Sequence, residues 1–343
     1  MRGVAALWVV LCHYSQVLQQ IFHLPNWLYY TFANGWFAVD LFFILSGFIM
    51  VHAHPQGAQT LPEYGRFLRK RLARIYPVHL VTLVFAMLVI GPAAWSHTPS
   101  IFDYIRYVTL THAWWNYSHP IWNGPNWSLS AEWGAYLVFP FLYQLGNNKS
   151  RQSLLWSLAI GLTVYVAINI FFANTNMEVL VETGLLRSIP CFLFGVWLYR
   201  LRHLVSYNPR WGILADTVAI TIPITLAILG ALTTSNKPVW LLTPMAACWI
   251  FALSYNHGLC ARLLSSRAMV QLGLISFSLY MTHTLIQNFL FFTPILQRST
   301  WLVIGYLIIT FIVAKCVYQL IEVTGCQMIM RHNSRVNLGA PVP

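Results

Sequence analysis

Hydrophobic segments recur along the whole chain, and most have about the length that crosses a lipid bilayer. A membrane-spanning helix needs about 20 mostly apolar residues, and long apolar runs with few charges favour helices. The pattern predicts ten spans with both termini on the same side. The predicted spans are 4–22, 36–52, 76–95, 131–146, 153–172, 185–201, 212–231, 239–256, 273–292 and 300–323.

Composition excludes a soluble protein, because 58% of the residues are hydrophobic and only 8% are charged, against about 25% charged in soluble domains. The predicted fold is therefore an all-α, polytopic transmembrane helical bundle. One transmembrane domain is expected over 1–325, followed by a short polar cytoplasmic tail over 326–343. The first apolar run is too long for a cleaved signal peptide and is expected to stay as a helix.

The net charge of +12 comes from Lys and Arg residues that are scattered between the apolar segments. This arrangement is typical of membrane topology determinants and does not indicate a nucleic-acid partner. If the amino terminus is cytoplasmic, the outer loops carry only Arg106, Lys237 and Arg298, and Arg187 and Lys315 lie within or at the border of spans. The positive-inside rule therefore predicts that both termini are cytoplasmic and that the loop 96–130 faces outward.

The loop 96–130 is rich in Trp, His, Asn and Pro, and connections of this length are usually functional or disordered. Its aromatic residues argue against disorder. Its histidines and those at 52 and 54 do not form a helical i,i+4 pair with a carboxylate between, so no metal site is expected. The six cysteines have no CxxC spacing and fall mostly in apolar runs, which is typical of small core residues.

Ionisable residues inside membrane helices are candidates for function. His13 lies near the middle of the first span, and Arg2 precedes it by eleven residues, about three helical turns, on the same face. Asp40 begins the second span and Glu132 begins the fourth. The structural alternatives are a helix–helix hydrogen bond for the histidine, worth about 1 kcal/mol, and helix capping for the carboxylates.

Other polar residues lie beside these candidates. Ser46 follows Asp40 in the second span, next to Gly47, which is more typical of close helix packing. Trp127 and Ser128 come shortly before Glu132. In the ninth span Tyr280 and His283 share one helix face through their i,i+3 spacing.

A basic cluster precedes the third span, where five of the nine residues from 66 to 74 are Arg or Lys. Arg71 and Arg74, three residues apart, would present two guanidinium groups together, which suits the phosphates of a ligand. The alternative is a basic amphipathic helix that lies on anionic lipid. The cluster alone leaves both interpretations open.

Taken in order, five motifs resemble those of the acyltransferase-3 family of membrane O-acyltransferases, typified by bacterial enzymes that acetylate surface polysaccharides. The motifs are Arg2 to Leu7 leading to His13, Gly35 to Phe48, Arg71 to Pro77, Trp127 to Pro140, and Ser276 to His283. They occur in the family's order and span nearly the whole chain. One departure is that members usually carry Asp-x-Leu ahead of the Arg-Gly, whereas this sequence begins Met1-Arg2.

The resemblance implies about ten spans in a bacterial inner membrane, an acyl-CoA donor taken from the cytoplasm and an acceptor often presented on the far side. By motif match, His13 corresponds to the family's essential histidine and Arg2 to the arginine before it. Arg71 and Arg74 correspond to the paired arginines thought to meet the donor. The remaining matches, with less settled roles, are Asp40, Ser46, Glu132, Tyr280 and His283.

The functional hypothesis is acyl transfer from acyl-CoA, typically acetyl-CoA, to a hydroxyl of a carbohydrate or a lipid-linked glycan. His13 would act as general base or as acyl carrier, because imidazole titrates near neutrality. Arg71, Arg74 and Arg2 would hold the donor. Asp40 or Glu132 would orient the acceptor, with Trp127, Ser128 and the other motif residues in support. The alternative is a secondary transporter or flippase without covalent chemistry, since proton relays also use membrane histidines.

Overall fold

The computed structural model describes residues 1–90, 99–114, 122–147, 150–172, 184–232, 242–291 and 300–336. Within these ranges every regular element is helical, which confirms the all-α prediction. The chain divides into two compact units. Unit 1 comprises Met1–Gly57, Leu110–Ser118 and Trp127–Gly273, and unit 2 comprises Ala58–Thr109, His119–Asn126 and Leu274–Pro343.

Unit 1 contains most of the helices. They are α1 (Arg2–Phe22), α2 (Asn26–Ala33), a 3-10 turn (Gly35–Phe37), α3 (Ala38–Ala53), α6 (Asn126–Leu137) from Trp127 onward, α7 (Phe139–Gly146), α8 (Arg151–Phe172), α9 (Gly184–Leu204), α10 (Arg210–Leu232), α11 (Thr243–Leu253), α12 (Leu259–Leu264) and the first turns of α13 (Arg267–Phe291). The predicted fourth span is two helices that meet at Val138. Pro140 lacks a backbone N–H, so it cannot continue the hydrogen-bond ladder of α6.

Unit 2 is built on three long helical segments. It contains α4 (Leu61–Ile90), α5 (Ile101–Val108), α13 from Leu274 onward, α14 (Thr300–Val317), a π-helical turn (Tyr318–Val323) and α15 (Thr324–Val336). The basic cluster is continuous with the predicted third span in α4, which runs through Pro77. α5 begins with a capping box, since Ser100 Oγ accepts from the Asp103 N–H and the Asp103 carboxylate accepts from the Ser100 N–H.

Several described helices are long and apolar enough to cross a membrane. They are Arg2–Phe22, Asn26–Ala53, Leu61–Leu88, Arg210–Ile228, Arg267–Asn288 and Thr300–Arg331, with Thr243–Leu253 as a shorter apolar helix. The chain is therefore an integral membrane protein. The count of ten spans, the cytoplasmic termini and the domain boundary at 325 stay predictions. Lys149, Lys237, Arg298, His97 and His119 lie outside the described residues, as does the tail from 337.

The closest helix contact in unit 1 lies between α3 and α9. A Cβ atom on Gly47 would overlap the backbone carbonyl of Phe192, and a Cβ atom on Gly195 would overlap that of Ile44. Small residues allow helix backbones to approach in this way, which is typical of membrane proteins. The contact fixes α9 against α3 and so determines which residues of α9 face Asp40 and Ser46.

We expect Gly47→Ala to lower the free energy of unfolding by about 1–3 kcal/mol, the usual cost of overpacking, because the added methyl group meets backbone and not a flexible side chain. Thermal unfolding of the detergent-solubilised protein measures this. The matched control is Gly305→Ala in α14, where no atom lies within 4 Å of the new methyl group. Equal melting temperatures for the two variants would contradict the close contact between α3 and α9.

Candidate active site

His13 lies on α1, the same continuous helix as Arg2, as the sequence predicted. His13 is exposed at the surface of the helix bundle. Nδ1 is 2.9 Å from the Val9 carbonyl oxygen. Since a carbonyl can only accept, Nδ1 carries the proton in the neutral ring, and Nε2 has the lone pair. Nε2 is therefore the nitrogen that can take a proton or attack a carbonyl.

Asp40 forms a buried ion pair with Arg187 of α9. Arg187 Nε donates to Asp40 Oδ1 at 2.6 Å, and both residues are buried, at 0% and 8% exposure. Removing either partner of such a pair leaves an uncompensated charge inside the protein. The sequence placed Arg187 within or at the border of a span and did not predict this partner.

The second oxygen of Asp40 faces two hydroxyl groups. Tyr165 lies 3.3 Å and Thr243 3.2 Å from Oδ2, and the two hydroxyl oxygens are 2.9 Å apart. Each hydroxyl carries one hydrogen, so the shortest distances fit a chain in which Tyr165 donates to Thr243 and Thr243 donates to Asp40. The carboxylate is thus enclosed by one cation and one hydroxyl chain.

Two tryptophans flank the Arg187 guanidinium. Its Cζ atom lies 4.9 Å from the ring centroid of Trp36 and 5.3 Å from that of Trp127, within the range of a cation–π contact. Arg187 also donates to the Trp36 carbonyl oxygen at 3.3 Å. Trp127, predicted as a supporting residue, therefore contacts the arginine that pairs with Asp40.

Glu132 and Ser46, both predicted site residues, are joined by a hydrogen bond. Ser46 Oγ donates to Glu132 Oε1 at 2.5 Å, and the Tyr136 hydroxyl donates to the same oxygen at 2.6 Å. Glu132 is half-buried, and the described residues place no hydrogen bond on its Oε2. Glu132 can therefore accept from an incoming hydroxyl, whereas both oxygens of Asp40 are engaged. Ser128, one turn before Glu132 on α6, is buried.

In unit 2, Arg71 and Arg74 lie on α4 but have different surroundings. Arg74 Nη1 is 2.8 Å from Glu322 Oε1, whereas the Arg71 guanidinium lies 6.0 Å from the ring centroid of Phe67. Both arginines are half-buried. The sequence treated the two as an equivalent pair and did not predict Glu322.

Tyr280 and His283 share one face of α13, as predicted, with ring centroids 5.9 Å apart. The Tyr280 hydroxyl donates to the Pro125 carbonyl oxygen at 3.1 Å. His283 is fully buried, and its Nδ1 is 2.8 Å from the Tyr280 carbonyl oxygen, which fixes its tautomer as in His13. These residues hold the segment before α6 against α13.

His79 is a further buried histidine that the sequence interpretation did not single out. It lies on α4, five residues after Arg74, and is fully buried. Its Nε2 is 2.8 Å from the Tyr107 carbonyl oxygen, to which it donates. The contact ties α4 to the end of α5. The only sequence signal was its place two residues after the end of the Arg71 to Pro77 motif.

The comparisons with known proteins decide the family. A family model described as an acyltransferase domain, that of the acyltransferase-3 family, matches residues 1–318. The chain belongs to the acyltransferase-3 family. The resemblance carried by the five motifs is thereby confirmed, and the protein is an integral-membrane acyltransferase.

Three relatives are similar to this acyltransferase-3 chain. The acyltransferase MdmB of Streptomyces mycarofaciens is 30% identical over 306 residues, which cover 83% of this chain and 77% of that protein. A putative acetyltransferase, ORF330 of Acidianus two-tailed virus, is 25% identical over 303 residues, covering 84% and 82%. Protein 2 in the picA locus of Rhizobium radiobacter is 38% identical over 83 residues, which cover 24% of this chain and 38% of that protein. No solved structure matches the chain significantly.

Proposed function

We propose that the protein transfers an acyl group, acetyl in the simplest case, from cytoplasmic acyl-CoA to a hydroxyl of a carbohydrate-type acceptor at the bacterial inner membrane. The family membership and the relatives named acyltransferase or acetyltransferase support the reaction class. The observation that carries the proposal is the exposed imidazole of His13, whose Nδ1 is bound to the Val9 carbonyl. Because this bond holds the proton on Nδ1, Nε2 is the nitrogen that is proposed to react.

In the proposed step, His13 Nε2 removes the proton of the acceptor hydroxyl as its oxygen attacks the thioester carbonyl carbon. The resulting tetrahedral intermediate collapses by breaking the carbon–sulfur bond. The CoA thiolate leaves and takes up the proton that the imidazolium holds, so the histidine is neutral again. A positioned base of this kind typically contributes about 10²–10⁴ in rate.

Two groups of residues would hold the substrates. Arg71 and Arg74 supply positive charge for the CoA phosphates, because guanidinium groups bind phosphates through paired N–H donors. Glu132 is the better candidate than Asp40 for orienting the acceptor. Its Oε2 is accessible, while Asp40 is enclosed by Arg187 and the hydroxyl chain.

We expect Glu132→Gln to lower kcat/KM for the acceptor by about 10- to 100-fold, the effect of one lost hydrogen bond to a charged group. The dissociation constant for acyl-CoA should not change. Steady-state kinetics with the two substrates varied separately measures this. Glu63→Gln, a partly exposed glutamate in the first turn of α4, is the matched control. A loss confined to donor binding would remove Glu132 from the acceptor site.

Transfer itself is tested with purified protein in proteoliposomes, acetyl-CoA and a panel of hydroxyl-bearing oligosaccharides and lipid-linked glycans. Mass spectrometry should detect one added acetyl group on an acceptor, and the signal should vanish without acetyl-CoA. Movement of an unmodified glycan across the vesicle membrane, with no acetylated product, would favour the transporter alternative and overturn the proposal.

A further inference from the structure

Glu322 is a fully buried carboxylate of unit 2, with 0% exposure. It lies in the π-helical turn Tyr318–Val323, between α14 and α15. Single π-helical turns within longer helices occur frequently at functional sites. A fully buried carboxylate needs partners for both oxygens to offset the loss of its hydration.

Each oxygen of Glu322 has such a partner. Oε1 is 2.8 Å from Arg74 Nη1, and Oε2 accepts from Ser278 Oγ at 2.5 Å. Ser278 is itself fully buried and belongs to the Ser276 to His283 motif of α13. Glu322 therefore connects two of the five motifs, Arg71 to Pro77 and Ser276 to His283, which are far apart in the sequence.

The backbone near Glu322 is packed tightly against α4. A Cβ atom on Gly325 would lie 2.6 Å from Pro77 Cβ, so only glycine fits there without a shift. Gly325 and Pro77 each lie three residues after the partners of the ion pair. The close contact holds the start of α15, directly after the π-helical turn, beside α4 and next to the Arg74–Glu322 ion pair.

The ion pair makes the two arginines unequal. The side chain of Arg74 is 38% exposed. Its guanidinium has five N–H donors, and the contact with Glu322 involves Nη1. Arg71 has no ion pair within the part of the chain that the structure describes. Arg74 is thus held by an ion pair with Glu322, whereas Arg71 lies beside the ring of Phe67.

We propose that Glu322 is a positioning residue of the donor site: its ion pair holds Arg74 so that the remaining N–H groups meet a phosphate of acyl-CoA, while Arg71 supplies a second cation. The inference rests on the proposed function, because it takes acyl-CoA as the donor. Glu322 does not touch the donor. It acts on affinity through Arg74 alone.

The test measures the dissociation constant of radiolabelled acetyl-CoA for the purified full-length protein in detergent. Glu322→Gln should weaken donor binding about tenfold, near the lower end of the range for a hydrogen bond to a charged group, and Glu322→Asp should recover part of the loss. In an Arg74→Ala background, Glu322→Gln should add less than about twofold, because its effect passes through Arg74. The KM for the acceptor should not change in Glu322→Gln.

Two results would overturn the inference: an unchanged donor dissociation constant in Glu322→Gln, or an equal loss with and without Arg74, which is the signature of a general structural role. A double-mutant cycle of thermal unfolding, with Arg74→Ala, Glu322→Gln and the double variant, measures the coupling free energy of the ion pair in the absence of acyl-CoA. If the wild-type protein binds no acetyl-CoA, the donor assignment and the inference both fail, whatever the cycle gives. If it binds and the losses add in full, only the inference fails.

Discussion

Replacement of His13 by alanine should lower the rate of acyl transfer by about 10²–10⁴, the usual contribution of a positioned general base. The dissociation constant for acyl-CoA should stay at the wild-type value. The reason is local: the Val9 carbonyl holds the proton on Nδ1, so the variant loses the Nε2 lone pair that acts as the base, while Arg71 and Arg74, which are proposed to bind the donor, are unchanged. Single-turnover transfer and equilibrium binding, measured on the same preparation, separate the two effects.

The matched control is His23→Asn at the end of α1. His23 is exposed and has a positive φ of 46°, a conformation that asparagine tolerates well, so this variant should keep full activity. Full activity in His13→Ala would remove the histidine from the chemistry. If the wild-type protein, but not His13→Ala, released one equivalent of thiol per enzyme in a burst without acceptor, His13 would instead be a covalent acyl carrier.

Replacement of Arg187 by methionine should lower the free energy of unfolding by about 3–5 kcal/mol, the cost of breaking a buried ion pair by removing one partner. Asp40 would be left inside unit 1 with only the Thr243–Tyr165 chain as partner. Transfer activity should fall with it, because Asp40 lies on α3 with Ser46, which binds Glu132.

Thermal unfolding in detergent measures the Arg187→Met effect, with Arg262→Met, an exposed arginine on α12, as the control. The double variant Asp40→Asn/Arg187→Met should lose less stability than the sum of the two single variants, because neither charge is then left alone. An Arg187→Met variant within about 0.5 kcal/mol of wild type, the usual range for surface changes, would show that the pair does not hold unit 1 together.

The sequence was sufficient for those features that depend on neighbouring positions in one helix. His13 and Arg2 lie on one continuous helix, and Tyr280 and His283 are in ring contact, because helical periodicity determines which side chains share a face. The interpretation of Gly47 as a close-packing site also agrees with the contact to Phe192.

Partners that are distant along the chain could not be predicted in this way. Asp40 and Arg187, and likewise Arg74 and Glu322, lie on helices whose adjacency is set by packing and not by local pattern. The apolar pattern of a single sequence does not determine which helices are neighbours. The signal available for Arg187 was its position in a span, since a charge in an apolar segment needs a partner.

Two local features could have been found from the sequence. Pro140 indicates the interruption between α6 and α7, and the Ser-x-x-Asp pattern from Ser100 predicts the start of α5. The helix through Pro77 is harder to predict, because proline usually ends a helix in water. Membrane helices tolerate it, since neighbouring groups satisfy the freed carbonyl.

The proposed division of roles between Asp40 and Glu132 is based on what each carboxylate already binds. Asp40 is engaged in an ion pair with Arg187, and the guanidinium of Arg187 in turn contacts Trp36 and Trp127. Glu132 accepts two hydroxyl groups on Oε1 and is half-buried. A sugar hydroxyl can therefore approach Glu132 without breaking an ion pair, which is the energetic reason to place the acceptor there.

Release of free CoA thiol from acetyl-CoA tests the central claim most directly, because a transporter or a receptor consumes no thioester. The measurement compares purified wild-type protein with His13→Ala and Arg71→Ala/Arg74→Ala across a panel of glycan acceptors. The account predicts that acceptor-stimulated thiol release is lost in His13→Ala. In the arginine variant, the release should require a higher concentration of acetyl-CoA. Wild-type protein that neither binds acetyl-CoA nor releases thiol with any acceptor would contradict it.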